Sequence, residues 1–129
     1  MITPDSARVA LAGIRLFNGA AALVAPRALA RRLGAEGEAH GATVHVSRMF
    51  GIRTVLIALD LLSGDPAVRR HAARVAIVVH ASDTASAAAA GLSRRMPPRA
   101  AVLATGISAF NVVLAAIAHR DSGEPEKPA

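Results

Sequence analysis

The run AAVLATGISAFNVVLAAIA, Ala100 to Ala118, holds 19 residues without one charge. As a helix it is about 28 Å long at 1.5 Å per residue, close to the thickness of a hydrocarbon core. A water-soluble helix of that length carries charge on its outer face. The segment therefore reads as a membrane span.

Three earlier segments follow the same pattern with interruptions. Val9–Ala25 contains Arg15 and Asn18, Val46–Leu62 contains Arg48, Arg53 and Asp60, and Val75–Leu92 contains His80 and Asp83. Between them lie PRALARRLGAEGEAHGA, SGDPAVRRHAAR and SRRMPPR, which collect prolines, glycines and most of the charge. Of the 15 basic residues, Arg15, Arg48 and Arg53 alone fall inside the four spans. The alternative, an Ala-rich soluble bundle with polar core groups, would repeat charge along every helix. No window alternates with the two-residue period of a half-buried strand. The fold expected is all-α: a four-helix transmembrane bundle, up-down-up-down, with short basic loops. Residues 1–119 form its single domain, and 120–129 form a polar, disordered tail.

Composition narrows the function. Alanine accounts for 31 of the 129 residues, and there is no Trp, Tyr or Cys. Alanine favours helix and permits close helix approach, but buries little area per residue. Without cysteine there is no disulfide, thiol redox chemistry or thiolate metal site. The basic residues fall in short loop clusters without aromatic stacking platforms, so no nucleic-acid partner is expected despite a pI near 11.6. Asp5 beside Arg8, and the polar breaks at Arg15 and Asn18, make a poor signal peptide, so the N-terminus reads as retained.

The polar residues inside the spans are the candidate functional set: Arg15, Asn18, Arg48, Arg53, Asp60, His80, Asp83 and Asn111. In an alternating topology with the N-terminus on side A, Arg53 and Asp83 come near mid-depth on consecutive spans, level with Asn18. Arg15, His80 and Asn111 lie nearer side A, and Asp60 is closer still to that surface. A charge at the bilayer centre costs about 2.5–3.5 kcal/mol on insertion scales, so such residues turn inward and pair. The expected pairs are Arg53 with Asp83, and Arg15 with Asp60 or Asp83. The strong apolar residues of Val46–Leu62 each return roughly 0.3–0.6 kcal/mol against about 3 for a central Arg, so that span is near balance. Val75–Leu92 has fewer of them and needs its neighbours to insert.

Sites of other chemistry are weak. His40 and His45 read as solvated loop histidines, and no carboxylate triad joins them in a metal site. His80, Ser82 and Asp83 crowd one helix, with no glycine elbow to present a serine nucleophile. There is no P-loop or dinucleotide fingerprint. No catalytic, metal or cofactor residues are therefore expected. The segment Ala25–Gly34 reads as a short interfacial helix, its arginines reaching headgroups while Leu29 and Leu33 dip inward.

The segments GIRLFNGAAALVAPRALARRLG and RMFGIR, with an Asp in the third span, resemble the small four-helix bacterial membrane proteins of unknown function that neighbour the DoxX-like group. The resemblance covers Arg8 to His119. It implies an inner-membrane bundle and no established reaction. DoxX relatives are linked to quinone or thiol chemistry, and this chain lacks the cysteine that the thiol branch needs. Small multidrug exporters are similar in size, but they use a buried Glu in the first span, where this chain has Arg15.

The reading that follows is a non-enzymatic membrane protein, either an accessory subunit or a self-associating bundle. Its partners are the lipid bilayer and a second copy or a membrane complex. A proton-coupled transporter using Asp83 and His80 is the alternative, and a quinone-linked redox protein the third. Orientation is balanced. Side A carries Arg8, Arg69, Arg70, Arg74, Arg120 and Lys127, and side B carries Arg27, Arg31, Arg32, Arg94, Arg95 and Arg99. The positive-inside rule then gives no clear preference, although Arg48 tips it slightly toward side B. In an alkaline carbonate wash of membranes the chain is expected to stay in the pellet and to leave only with detergent. Release into the supernatant would exclude the four-span reading.

Overall fold

The computed structural model describes residues 2–32 and 34–120, which form five helices. These are α1 (Pro4–Val24), α2 (Pro26–Arg32), α3 (Glu38–Leu61), α4 (Pro66–Leu92) and α5 (Pro98–Arg120). Helices α1, α3, α4 and α5 are long and apolar enough to cross a membrane. No strand occurs among the described residues.

Local chemistry places the helix starts. Four of the five open on proline, whose fixed φ suits the first turn, where its missing N–H is not needed. Thr3 caps α1 reciprocally with Ser6: Thr3 Oγ1 accepts from the Ser6 amide at 3.1 Å and Ser6 Oγ accepts from the Thr3 amide at 3.0 Å. Asp65 caps α4 by accepting from the Ala67 amide at 2.8 Å.

Two of the charged stretches between spans are largely helical. Because α3 begins at Glu38 and α4 at Pro66, the residues His40, His45, Arg69, Arg70 and Arg74 stand on helices and not in loops. A helix leaving hydrocarbon keeps its backbone bonds, so charge does not end it. The Asp65 cap before Pro66 sets the start of α4, and Gly37 at φ +59° precedes α3. The basic segment after α1 is the short helix α2, with Arg27, Arg31 and Arg32 exposed and Leu29 half-buried. Leu33 and residues 121–129, most of the tail read as disordered, lie outside the described residues.

The four long helices form an antiparallel ring in which α1 packs on α3 and α5, and α4 packs on α3 and α5. Helices α1 and α4 thus face each other across the diagonal. At the end where α1 and α4 begin and α3 and α5 finish lies an alanine-rich core. Its larger members are Leu11, Ile57, Leu61 and Leu114, packed among Ala12, Ala72, Ala73, Ala76 and Ala115. Arg8 ties the same end together, its Nη1 donating to the Leu61 carbonyl at 2.7 Å. That bond satisfies a carbonyl in the last turn of α3.

Toward the other end the helices meet through glycine. A Cβ on Gly19 of α1 would lie 2.9 Å from the Gly51 carbonyl oxygen of α3 and 2.8 Å from Val55 Cγ2. A Cβ on Gly51 would lie 2.8 Å from the Gly19 carbonyl oxygen. Each glycine is where it is because the opposing backbone occupies the space, as small-residue interfaces in membranes require. Gly91 of α4 sits equally close to Ala101 of α5, at 2.7 Å for an added Cβ.

Gly19→Ala and Gly51→Ala are each expected to destabilise the detergent-solubilised protein by about 1–3 kcal/mol, the usual cost of overpacking. Gly13→Ala, with nothing within 4 Å, should be neutral or stabilising through helix propensity. Denaturant titration followed by circular dichroism measures all three. Equal behaviour of Gly13→Ala and Gly19→Ala would contradict the α1–α3 contact.

Candidate functional site

The centre of the bundle is occupied by a charge. Arg15 of α1 is 1% exposed, and its Nη1 is hydrogen-bonded to Nε2 of His80, which is 6% exposed on α4. An arginine nitrogen can only donate, so His80 Nε2 accepts and the imidazole is neutral with its proton on Nδ1. The bond spans the diagonal of the ring, joining two helices that scarcely touch elsewhere. On α4, Thr84 Oγ1 donates to the His80 carbonyl at 2.7 Å.

One charge-assisted bond is worth about 1.5–3 kcal/mol, which roughly offsets the insertion cost of the charge. It does not satisfy the guanidinium. Arg15 Nε and Nη2 are buried with no partner among the described residues, and so is Oδ1 of Asn111, 3% exposed on α5. Asn111 also lines a groove of about 420 Å³ between α1 and α5, together with Ile14, Asn18, Leu103, Ile107 and Phe110. The groove is apolar except for the two asparagines.

The other intramembrane polar residues take different places. Asp83 is half-buried on α4, within electrostatic reach of both Arg15 and Arg53. Arg48, Arg53 and Asp60 are exposed on the outer side of α3, and Asn18 is half-buried. The one ion pair among the described residues joins Arg8 to Asp5. Arg15 is thus bonded to His80 and not to Asp60 or Asp83, and Arg53 lies near Asp83 without an ion pair.

The reason is the small-residue stripe of α3. Ser47, Gly51, Thr54 and Ala58, spaced four, three and four apart, are all buried on one side of the helix. That spacing defines one helical face, and Gly51 packs on α1. Arg53, about 100° away from Thr54, is left outside. Thr54, 2% exposed with Oγ1 unpartnered among the described residues, is a buried polar residue that a reading of charges passes over. The small-residue spacing was its signal.

No protein-family model, curated protein or solved structure matches this chain. The chemistry must be read from the residues alone. Among the described residues no three His, Asp or Glu side chains gather into a metal site. Ser82 is exposed while His80 is bonded to Arg15, so these two do not form a nucleophile–base pair. What the centre offers is hydrogen-bond donors from a buried Arg15.

A double-mutant cycle tests the diagonal bond. His80→Leu leaves the Arg15 charge with no partner and is expected to cost about 3–5 kcal/mol. Arg15→Met removes the charge itself and should cost less. The double variant should recover most of the stability, since replacing a buried polar pair by apolar groups is close to neutral. Additive losses in detergent unfolding would show that the two side chains are not coupled.

Proposed function

We propose that this chain is a non-enzymatic integral membrane protein that works by associating within the bilayer, as an accessory subunit or with itself. The observation that carries this reading is the outer side of α3, where Arg53 and Asp60 are exposed with no ion-pair partner among the described residues. A charge facing lipid near the bilayer centre costs about 2.5–3.5 kcal/mol, and Asp83, near Arg53 but not ion-paired with it, offsets that cost only in part. A neighbouring membrane surface removes the remainder by supplying a closer counter-charge. The Arg15–His80 bond serves the bundle itself, fixing the register of α1 against α4 where alanines provide few interlocking contacts. The resemblance of the first two spans to DoxX-neighbouring proteins supports a location in the bacterial inner (cytoplasmic) membrane.

A second reading rests on Arg15 Nε and Nη2, buried without a hydrogen-bond partner among the described residues, beside His80 and near Asp83. In that reading the centre is the anion site of a small proton-coupled transporter, with His80 and Asp83 carrying protons.

Native gel electrophoresis of gently solubilised membranes distinguishes the two. Association expects an assembly larger than the 13.2 kDa chain, which Arg53→Leu with Asp60→Leu reduces to the monomer. Association also expects Asp83→Asn to lower protein level without a transport defect. A wild-type chain that is monomeric in its membrane, with proton flux into dye-loaded vesicles abolished by Asp83→Asn, would replace association by transport.

A further inference from the structure

The outer side of α3 carries a pattern of its own. Met49, Arg53, Leu56 and Asp60 are spaced four, three and four residues apart, and all four are exposed. That spacing makes a single seam of the kind along which two helices pack. Its apolar members are bare: Met49 is 59% and Leu56 54% exposed. Arg53 and Asp60 sit seven residues apart on it, about 10 Å along the axis.

Two copies of one helix can lie side by side with two-fold symmetry in two ways. With the axis along the membrane normal, the copies are parallel and each residue meets its own equivalent. Arg53 then faces Arg53 and Asp60 faces Asp60, which places like charges together in a medium of low dielectric. With the axis in the membrane plane, the copies are antiparallel. If that axis passes between Leu56 and Ile57, Arg53 of each copy faces Asp60 of the other, and the two Leu56 side chains meet between the ion pairs. The seam is self-complementary only when one copy is inverted.

Inversion brings a further requirement, which the sequence meets separately. The axis must lie near mid-membrane, and the point between Leu56 and Ile57 is within one helical turn of Thr54, the middle of Val46–Leu62. The long Arg53 stem spans the small offset. Both orientations must also insert, and the six basic residues on each side leave only Arg48 to favour one of them.

We infer that the partner of this face is a second copy of the same chain, inserted with the opposite orientation and docked along α3. The inference rests on the association reading above and names the partner and the geometry.

The chain has no cysteine, so introduced cysteines cross-link only where they are placed. The test uses full-length protein in phosphatidylethanolamine–phosphatidylglycerol vesicles. It takes Leu56→Cys alone and Met49→Cys alone. Both sites leave Arg53 and Asp60 intact. The antiparallel seam expects Leu56→Cys to form a homodimer. It expects no bond between two Met49→Cys chains, which lie about 22 Å apart in that arrangement. Arg53→Asp in the Leu56→Cys chain should lower its cross-linking about tenfold, and Arg53→Asp with Asp60→Arg should restore it.

Cross-linking between two Met49→Cys chains would overturn the antiparallel arrangement and leave self-association standing. Absence of every cross-link, with a large assembly still present on the native gel, would overturn the self-partner and leave a different membrane protein in its place. Absence of both would remove the association reading as well.

Discussion

The structure depends on a guanidinium held across the diagonal of a narrow bundle. Water is excluded from hydrocarbon, so a polar group there must find its partner within the protein. Arg15 finds His80, and that bond joins the two long helices that the ring brings into little contact. Neighbouring pairs are held by packing along their seams. Across the diagonal this bond places α1 and α4 at a definite mutual depth.

The need for such a tie follows from the composition. A core of alanines with a few leucines and isoleucines brings backbones close together but interlocks weakly, because alanine offers no knob to seat in a facing hole. Glycines carry the closeness furthest, at Gly19 against Gly51, where each backbone carbonyl approaches the opposing glycine. In a membrane, dispersion between close backbones and a few hydrogen bonds replace the hydrophobic drive of a soluble core. The small stripe of α3 therefore has first claim on the inner side of that helix, and Arg53 and Asp60 are displaced to the outside. Internal packing and outward charge are two results of the same spacing.

The interior and the exterior also differ in how completely they satisfy their polar groups. Inside, Arg15 keeps two buried guanidinium nitrogens and Asn111 its side-chain oxygen without partners among the described residues. Outside, Arg53 and Asp60 face away from their own bundle, and Asp83 is half-buried near the first of them. The interior donors favour an enclosed acceptor and the exterior charges favour an opposite surface. Separate residues carry these two properties, so they can be altered independently.

The sequence by itself determined the class of fold. Charge gathered between four apolar segments admits few arrangements other than an antiparallel helical bundle, but the starts of α1 at Pro4 and α4 at Pro66 lie well before Val9 and Val75, because capped helices continue past the apolar stretch. The sequence also supplied eight of the polar residues of the spans and their order along each helix, which is simply a residue count. Which way each side faces was decided only by the tertiary structure. The depth matching that paired Arg53 with Asp83 is indifferent to rotation about the helix axis, and that rotation is set by where small residues allow backbones to meet. Ser47, Gly51, Thr54 and Ala58 turned α3 so that Arg53 left the core, while the one-turn spacing of buried Leu11 and Arg15 turned α1 so that Arg15 entered it. Charge determined how deep each residue sits, and packing determined which side of the wall it stands on.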